Sequence, residues 1–132
     1  MDTQIDAILA FLETVHPYDS LPRDELARVA ASFSRREYLA GNEIYSIGDP
    51  LKGIYLIKRG SVEVCDRNGV MVSILGPRNS FGERGLLRDG LAMTSARAVE
   101  LTVALLLPLN ELRHLIATVP SFERFFNRTR PA

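Results

Sequence analysis

Between Arg36 and Pro108 the chain is cut into short apolar runs by turn-forming residues, and no other feature limits its fold as strongly. The breakers are Ala40-Gly41-Asn42, Gly48-Asp49-Pro50, Lys58-Arg59-Gly60, Asn68-Gly69 and Gly76-Pro77. They recur at intervals of roughly seven to twelve residues, the rhythm of a chain that turns back after every strand. Between them lie Ile54-Tyr55-Leu56-Ile57, Val62-Glu63-Val64 and Val70-Met71-Val72-Ser73-Ile74-Leu75. Asn68-Gly69 separates two of these runs and predicts a hairpin, because a tight turn there needs residues that tolerate positive φ. Glu100 to Leu107 adds another apolar strand, ended by Pro108. Regular short strands of this kind predict a sandwich or a roll.

The flanks read differently. Ile5, Ile8, Leu9, Leu12 and Val15 recur at helical spacing until Pro17 ends the run. A second helix is predicted to open at Pro22, since proline fits a first turn, and to carry Leu26, Val29, Ala30 and Phe33. After the strands, Leu112, Leu115, Ile116 and Val119 mark one apolar helix face, which Pro120 breaks. Ser121 is placed to cap a last short helix bearing Phe122, Phe125 and Phe126, ending near Asn127. Arg124, Arg128 and Arg130 lie on or beyond its other side. The aromatic cluster suits packing on the strands or a partner site. Asp2, Asp6 and Glu13 give the first helix an acidic polar face, the wrong sign for anionic lipid, so packing is expected there too. The expected division is residues 1–34 as N-terminal helices, 35–108 as the roll, and 109–132 as C-terminal helices and the start of a linker.

Composition narrows the function. The 132 residues, 46% of them hydrophobic, can bury a genuine core. Sixteen basic and sixteen acidic residues cancel, leaving no electrostatic reason to expect nucleic-acid or membrane binding. No apolar run approaches the roughly eighteen residues of a membrane span, and no basic-then-apolar signal opens at Met1, so a cytoplasmic domain is expected. Cys65 is the only cysteine, and its place in the alternating Val62-Glu63-Val64-Cys65 suits a small packing residue. A metal-binding barrel needs several histidines converging inside it. His16 stands beside Pro17 and His114 in the C-terminal helix, so neither belongs to a strand. The same scarcity argues against a Ser/His/Asp or Cys/His hydrolase, and Gly82-Glu83-Arg84-Gly85 is too short for a Rossmann or Walker loop. No enzyme, no metal and no cofactor are expected.

The stretch Phe81-Gly82-Glu83-Arg84-Gly85-Leu86-Leu87, followed by Thr94-Ser95-Ala96-Arg97-Ala98, resembles the phosphate-binding cassette of the cyclic nucleotide-binding domain family. The ordered turns Tyr38-Leu39-Ala40-Gly41, Ile47-Gly48-Asp49, Ile54-Tyr55-Leu56-Ile57 and Arg59-Gly60-Ser61-Val62-Glu63-Val64 extend the resemblance over nearly the whole chain. It implies a mainly β fold: an eight-stranded double-stranded β-roll of jelly-roll type with helices at both ends and a cassette near residues 81–98. It also implies a ligand cavity between that cassette and the strand holding Val72 and Ser73, although Val72 would equally serve the core. The ligand-binding residues so implied are Val72, Ser73, Phe81, Gly82, Glu83 and Arg84, with Gly85, Leu86, Arg88, Ala92, Met93 and Thr94. The ligand implied is cAMP, cGMP or another small anion, with Glu83 accepting a hydrogen bond from the ribose 2′-hydroxyl.

A cyclic phosphodiester carries a negative charge that a buried site neutralises with backbone N–H groups, a helix N-terminus and a guanidinium. Gly82 and Gly85 let the backbone approach such a group, and Leu86-Leu87 is expected to start a helical turn whose free N–H groups face it. The family's arginine falls on Ala92. Losing one side of a buried charge pair costs about 2–5 kcal/mol, which weakens a micromolar site roughly 30-fold to several thousand-fold. Residues 78–97 hold Arg78, Arg84, Arg88 and Arg97 against Glu83 and Asp89, a local excess of +2. Arg88, in the Arg88-Asp89-Gly90 turn, is the candidate replacement donor; ordinary solvated loop arginines are the alternative.

A narrower resemblance lies in the Leu12…Pro17…Leu21-Pro22 approach, the Glu83-Arg84 cassette and the Phe122-Glu123-Arg124-Phe125-Phe126 exit. It is to a bacterial subgroup in which the roll is the N-terminal sensor of a signalling protein with paired CBS domains and a nucleotidyltransferase-like domain. Two functions remain open. One is a regulatory sensor domain in signal transduction, with a degenerate cassette, whose C-terminal helices change pose when ligand binds and act on downstream domains of a longer chain. The other is a vestigial roll kept as a packing or homodimerisation module without a nucleotide ligand.

Overall fold

In a computed structural model that describes residues 3–127, the strands pair into two antiparallel sheets of four. The first has the order β1 (Ser34–Tyr38), β8 (Thr102–Pro108), β3 (Gly53–Arg59), β6 (Ser80–Phe81). The second has the order β2 (Glu43–Tyr45), β7 (Ser95–Ala98), β4 (Val62–Cys65), β5 (Met71–Leu75). This is the mainly β roll that the sequence implies. The Asn68-Gly69 hairpin joins β4 to β5, with Asp66 Oδ1 accepting from the backbone N–H groups of Asn68 and Val70.

Register assigns the faces, because residues opposite one another in a ladder share a side. Ile54 opposite Leu107 and Leu56 opposite Leu105 form one fully buried face of the first sheet, covered by helices that include α4 (Leu109–Thr118). Tyr55, opposite Leu106 and Phe81, belongs to the other face, which looks between the sheets. On the second sheet, Tyr45, Ala96, Val64 and Ser73 make one continuous inward row.

The helices depart from the sequence pattern at their ends. The first, α1 (Thr3–Leu12), stops short of Pro17 and the chain continues in single turns, Val15 N–H donating to Leu12 C=O at 3.0 Å. The His16–Pro17 peptide is cis and a 3₁₀ turn, Tyr18–Ser20, follows. Val15 is buried all the same. In α2 (Arg23–Ser32), Pro22 is the extended residue before the helix, and Phe33 lies just past its end. β8 begins at Thr102, not Glu100, because Val99 and Glu100 are drawn into a turn by Ser61. Ser121 is not the cap of α5 (Pro120–Phe126): Val119 holds that place, Pro120 fills the first turn, and Ser121 Oγ lies 2.6 Å from Ser20 Oγ. Arg128, Arg130 and Asp2 fall outside the described residues.

The two helical ends of the chain are packed together. Tyr18 makes edge contacts with Phe33 and Phe122 at centroid distances of 5.7 and 5.2 Å. Arg28 on α2 donates to Glu25 and to both oxygens of Glu111 on α4, at 3.0 and 2.8 Å for the latter. Among the described residues no helix is long and apolar enough to cross a membrane.

Candidate functional site

The cassette starts where β6 ends. Phe81 pairs with Tyr55 and stacks on its ring, centroids 5.0 Å apart. Gly82, at φ +90, then swings the chain out of the strand, a conformation that side chains oppose. Helix α3 (Glu83–Arg88) follows at once, one turn earlier than the Leu86-Leu87 start expected from sequence. The reason is local: Leu86 N–H already donates to Gly82 C=O at 3.1 Å, so the first helical bond closes on the glycine that ends the strand. Leu86 is buried and anchors the helix.

Beyond α3 the chain crosses back over the end of the roll. Leu51 N–H donates to Gly90 C=O, Ala92 N–H to Asp49 C=O, and Gly48 N–H to Ala92 C=O, all at 2.8–2.9 Å. Gly85 permits this crossing, because a Cβ there would stand 2.2 Å from the Leu91 carbonyl oxygen. Gly85→Ala is therefore expected to cost about 1–3 kcal/mol by forced displacement of backbone, read as a fall in the urea midpoint at unchanged m-value.

Of the side chains expected at the site, Phe81, Gly82, Glu83, Gly85, Leu86 and Ala92 are buried together, with Met93 and Thr94 half-buried beside them. Glu83 is 3% exposed and Ala92 4%. Ser73 sits at the far end of the inward row that begins at Tyr45. Val72 does not serve the core: it is the extra residue of a bulge between the Ser73–Val64 and Met71–Cys65 pairs and is 41% exposed.

The arginines lead away from Gly82. Arg84 is exposed. Arg88 is exposed at the end of α3, its Nη1 4.0 Å from Met93 Sδ, on a 220 Å³ recess shared with Ile47 and Arg67. Arg97 lies 3.3 Å from Glu63, and Arg78 reaches Thr14 Oγ1 at 3.4 Å.

Tyr45 was not legible as a site residue. Its strand is three residues long, too short to show alternation. In the structure its ring contacts those of Tyr55 and Phe81, and its hydroxyl lies 3.4 Å from where a Gly82 Cβ would be. Burial holds its phenol well above the ordinary value; the neighbouring Thr94 hydroxyl opposes that rise and the charge of Glu83 adds to it. Tyr18 is raised in the same way, by burial first and then Glu83. Both phenols stay protonated at any physiological pH.

Nucleophilic and metal chemistry have little to work with. Cys65 Sγ donates to Glu63 at 3.3 Å, and desolvation together with that carboxylate raises its pKa, which depletes the reactive thiolate. Among the described residues no three His, Cys, Asp or Glu side chains cluster to hold a metal.

A family model, described as cyclic nucleotide-binding domain, matches residues 35–119. The cyclic AMP receptor protein of Thermus thermophilus is 32% identical over 107 residues, covering 78% of this chain and 50% of that protein. The regulatory domain of Toxoplasma gondii PKA, solved with cAMP, superposes with a TM-score of 0.84 at 18% identity over 93% of this chain and 48% of that one. A regulatory subunit of a cAMP-independent protein kinase A from Trypanosoma cruzi, solved with guanosine, superposes at 0.77 and 22% identity over 95% and 49%. The curated relatives are longer, this chain spanning between 6% and 50% of their length. With the family model covering both sheets and the cassette, the chain belongs to the cyclic nucleotide-binding domain family.

Proposed function

We propose that this domain is the ligand-sensing module of a signalling protein and that its cassette is degenerate, keeping the ribose-recognising half and lacking the charge-neutralising half. One observation carries the reading: Glu83 is buried at the start of α3 while Ala92, an alanine, fills the position of the expected guanidinium. Carboxylates are rarely buried without a task, and binding a ribose hydroxyl supplies one that needs no phosphate. Neighbouring structures support a ligand role for the fold, one holding cAMP and another guanosine. In this reading the C-terminal helices pass the change to receiving domains in a longer chain.

The test is isothermal titration of the chain with cAMP and cGMP up to millimolar concentration, alongside a panel of ribonucleosides. Cyclic nucleotides are expected to bind no tighter than roughly 30 µM, the affinity left after a lost charge partner. Glu83→Ala is expected to weaken every ribose ligand by about tenfold or more, the loss of a hydrogen bond to a charged group, with the melting temperature kept. Silence from every ribose ligand at millimolar concentration would sink the sensing role. That result would favour a second reading, a roll kept for packing or dimerisation, which the interior filling by Tyr45 and Ala92 supports.

A further inference from the structure

We propose that the opening between β1 and β2 is a second binding site, separate from the cassette, and that it takes a small ring-bearing carboxylate.

A cavity of about 260 Å³ lies there, walled by both sheets. Register puts its first wall in place. Ser34 stands opposite Leu106, so Arg36 and Tyr38, at alternate positions of β1, share the inward face of Leu106 and Tyr55. Ile44 and Tyr45 reach the cavity from β2, and Lys52 from just before β3. Gly82, Glu83 and Ala92 do not line it.

The lining defines the ligand. Arg36 and Lys52 are cations that form no salt bridge among the described residues. Arg35 and Glu37, which do pair, lie on the other face of β1. The acid at the rim, Asp49, already accepts the Ser46 N–H at 2.8 Å. Two cations against one acid leave a net charge of +1, enough for a monoanion and short of a phosphate dianion. The planar fork of Arg36 matches the two oxygens of a carboxylate, and Tyr38 and Tyr55 add phenolic O–H donors on the same wall. Burial, and after it the Tyr55 phenol, pushes the Tyr38 pKa up to about 12 against the Arg36 charge, so that proton stays in place. Ile44, Leu106 and the Tyr45 ring supply the apolar floor. Charge at the rim over an apolar floor suits a ligand with one charged end and a flat body. The volume falls below the roughly 300 Å³ at which drug-sized pockets begin, which limits that body to a single ring.

The experiment titrates the isotopically labelled chain with benzoate, followed by two-dimensional NMR at low ionic strength, where exposed charges are least screened. Saturable shifts are expected, with a Kd in the millimolar range or below, centred on the backbone amides of Arg36, Tyr38, Ile44 and Lys52. Benzamide, the same ring without the charge, is expected to bind about tenfold or more weakly. Arg36→Gln and Lys52→Gln are each expected to weaken benzoate by about 3- to 5-fold, a modest loss because both heads reach solvent. The double variant is expected to weaken it by about tenfold or more at unchanged melting temperature. Shifts that never saturate, benzamide as tight as benzoate, or unaltered affinity in the double variant would each overturn the site. Inorganic phosphate bound as tightly at the same amides would overturn the carboxylate assignment. The cyclic nucleotide titration reads the cassette, so failure of one site is distinguishable from failure of the other.

Discussion

Phe122→Ala is expected to lower stability by about 3–5 kcal/mol, among the heaviest costs a single core truncation carries. Phe122 is fully buried, meets Tyr18 edge-on at 5.2 Å and leans on Phe126 at 6.2 Å. Nothing nearby is free to fill the hole: Tyr18 is wedged against Phe33, and its short turn is tied down by Asp19 N–H to Val15 C=O and Leu21 N–H to Tyr18 C=O. The aromatic cluster of the C-terminus is thus packing, the first of the two uses its sequence allowed. Urea denaturation monitored by circular dichroism measures the loss, and Phe122→Leu, which leaves less void, is expected to recover more than half of it. A cost below about 1 kcal/mol would mean that α5 lies outside the cooperative unit.

Ala92→Arg is expected to tighten cAMP binding by about 30-fold or more, supplying the charge partner that the proposed degenerate cassette lacks. The same change is expected to lower the melting temperature of the unliganded protein, because position 92 is 4% exposed and a guanidinium there must lose water before any anion arrives. The two effects are separable, cAMP titration reading the first and thermal unfolding with and without ligand the second. Ligand should return much of the lost stability by mass action. If the variant folds and gains nothing, the obstacle is steric, and the Tyr45 ring beside the stacked Tyr55–Phe81 pair is what fills the space.

The strands were legible where turn chemistry is strict. Asn68-Gly69 marked its hairpin, and Val62-Glu63-Val64-Cys65 alternates in burial as it alternates in polarity. The cassette was legible as a motif because Gly82 and Gly85 answer backbone demands that few other residues meet. What the sequence hid was decided by distant neighbours. Ser121 looks like a helix cap until Ser20 claims its hydroxyl from across the chain. Val72 reads as core until a bulge turns it to solvent. Tyr45 lies in a three-residue strand with no period to count, and its neighbours at the cassette, Gly82 and Thr94, are far along the chain.

The contact between Ser20 and Ser121 spans 101 residues, and the Arg28–Glu111 bridge ties the same two regions a few turns away. The start and the end of the described chain are therefore geared to one another. A push that reaches α5 cannot turn that helix alone: it must drag the 3₁₀ turn and α2 along or tear both fastenings. In the proposed sensing role the two ends act as one clamp, whose stiffness, more than the reach of its last helix, would set how far a response travels out of the roll.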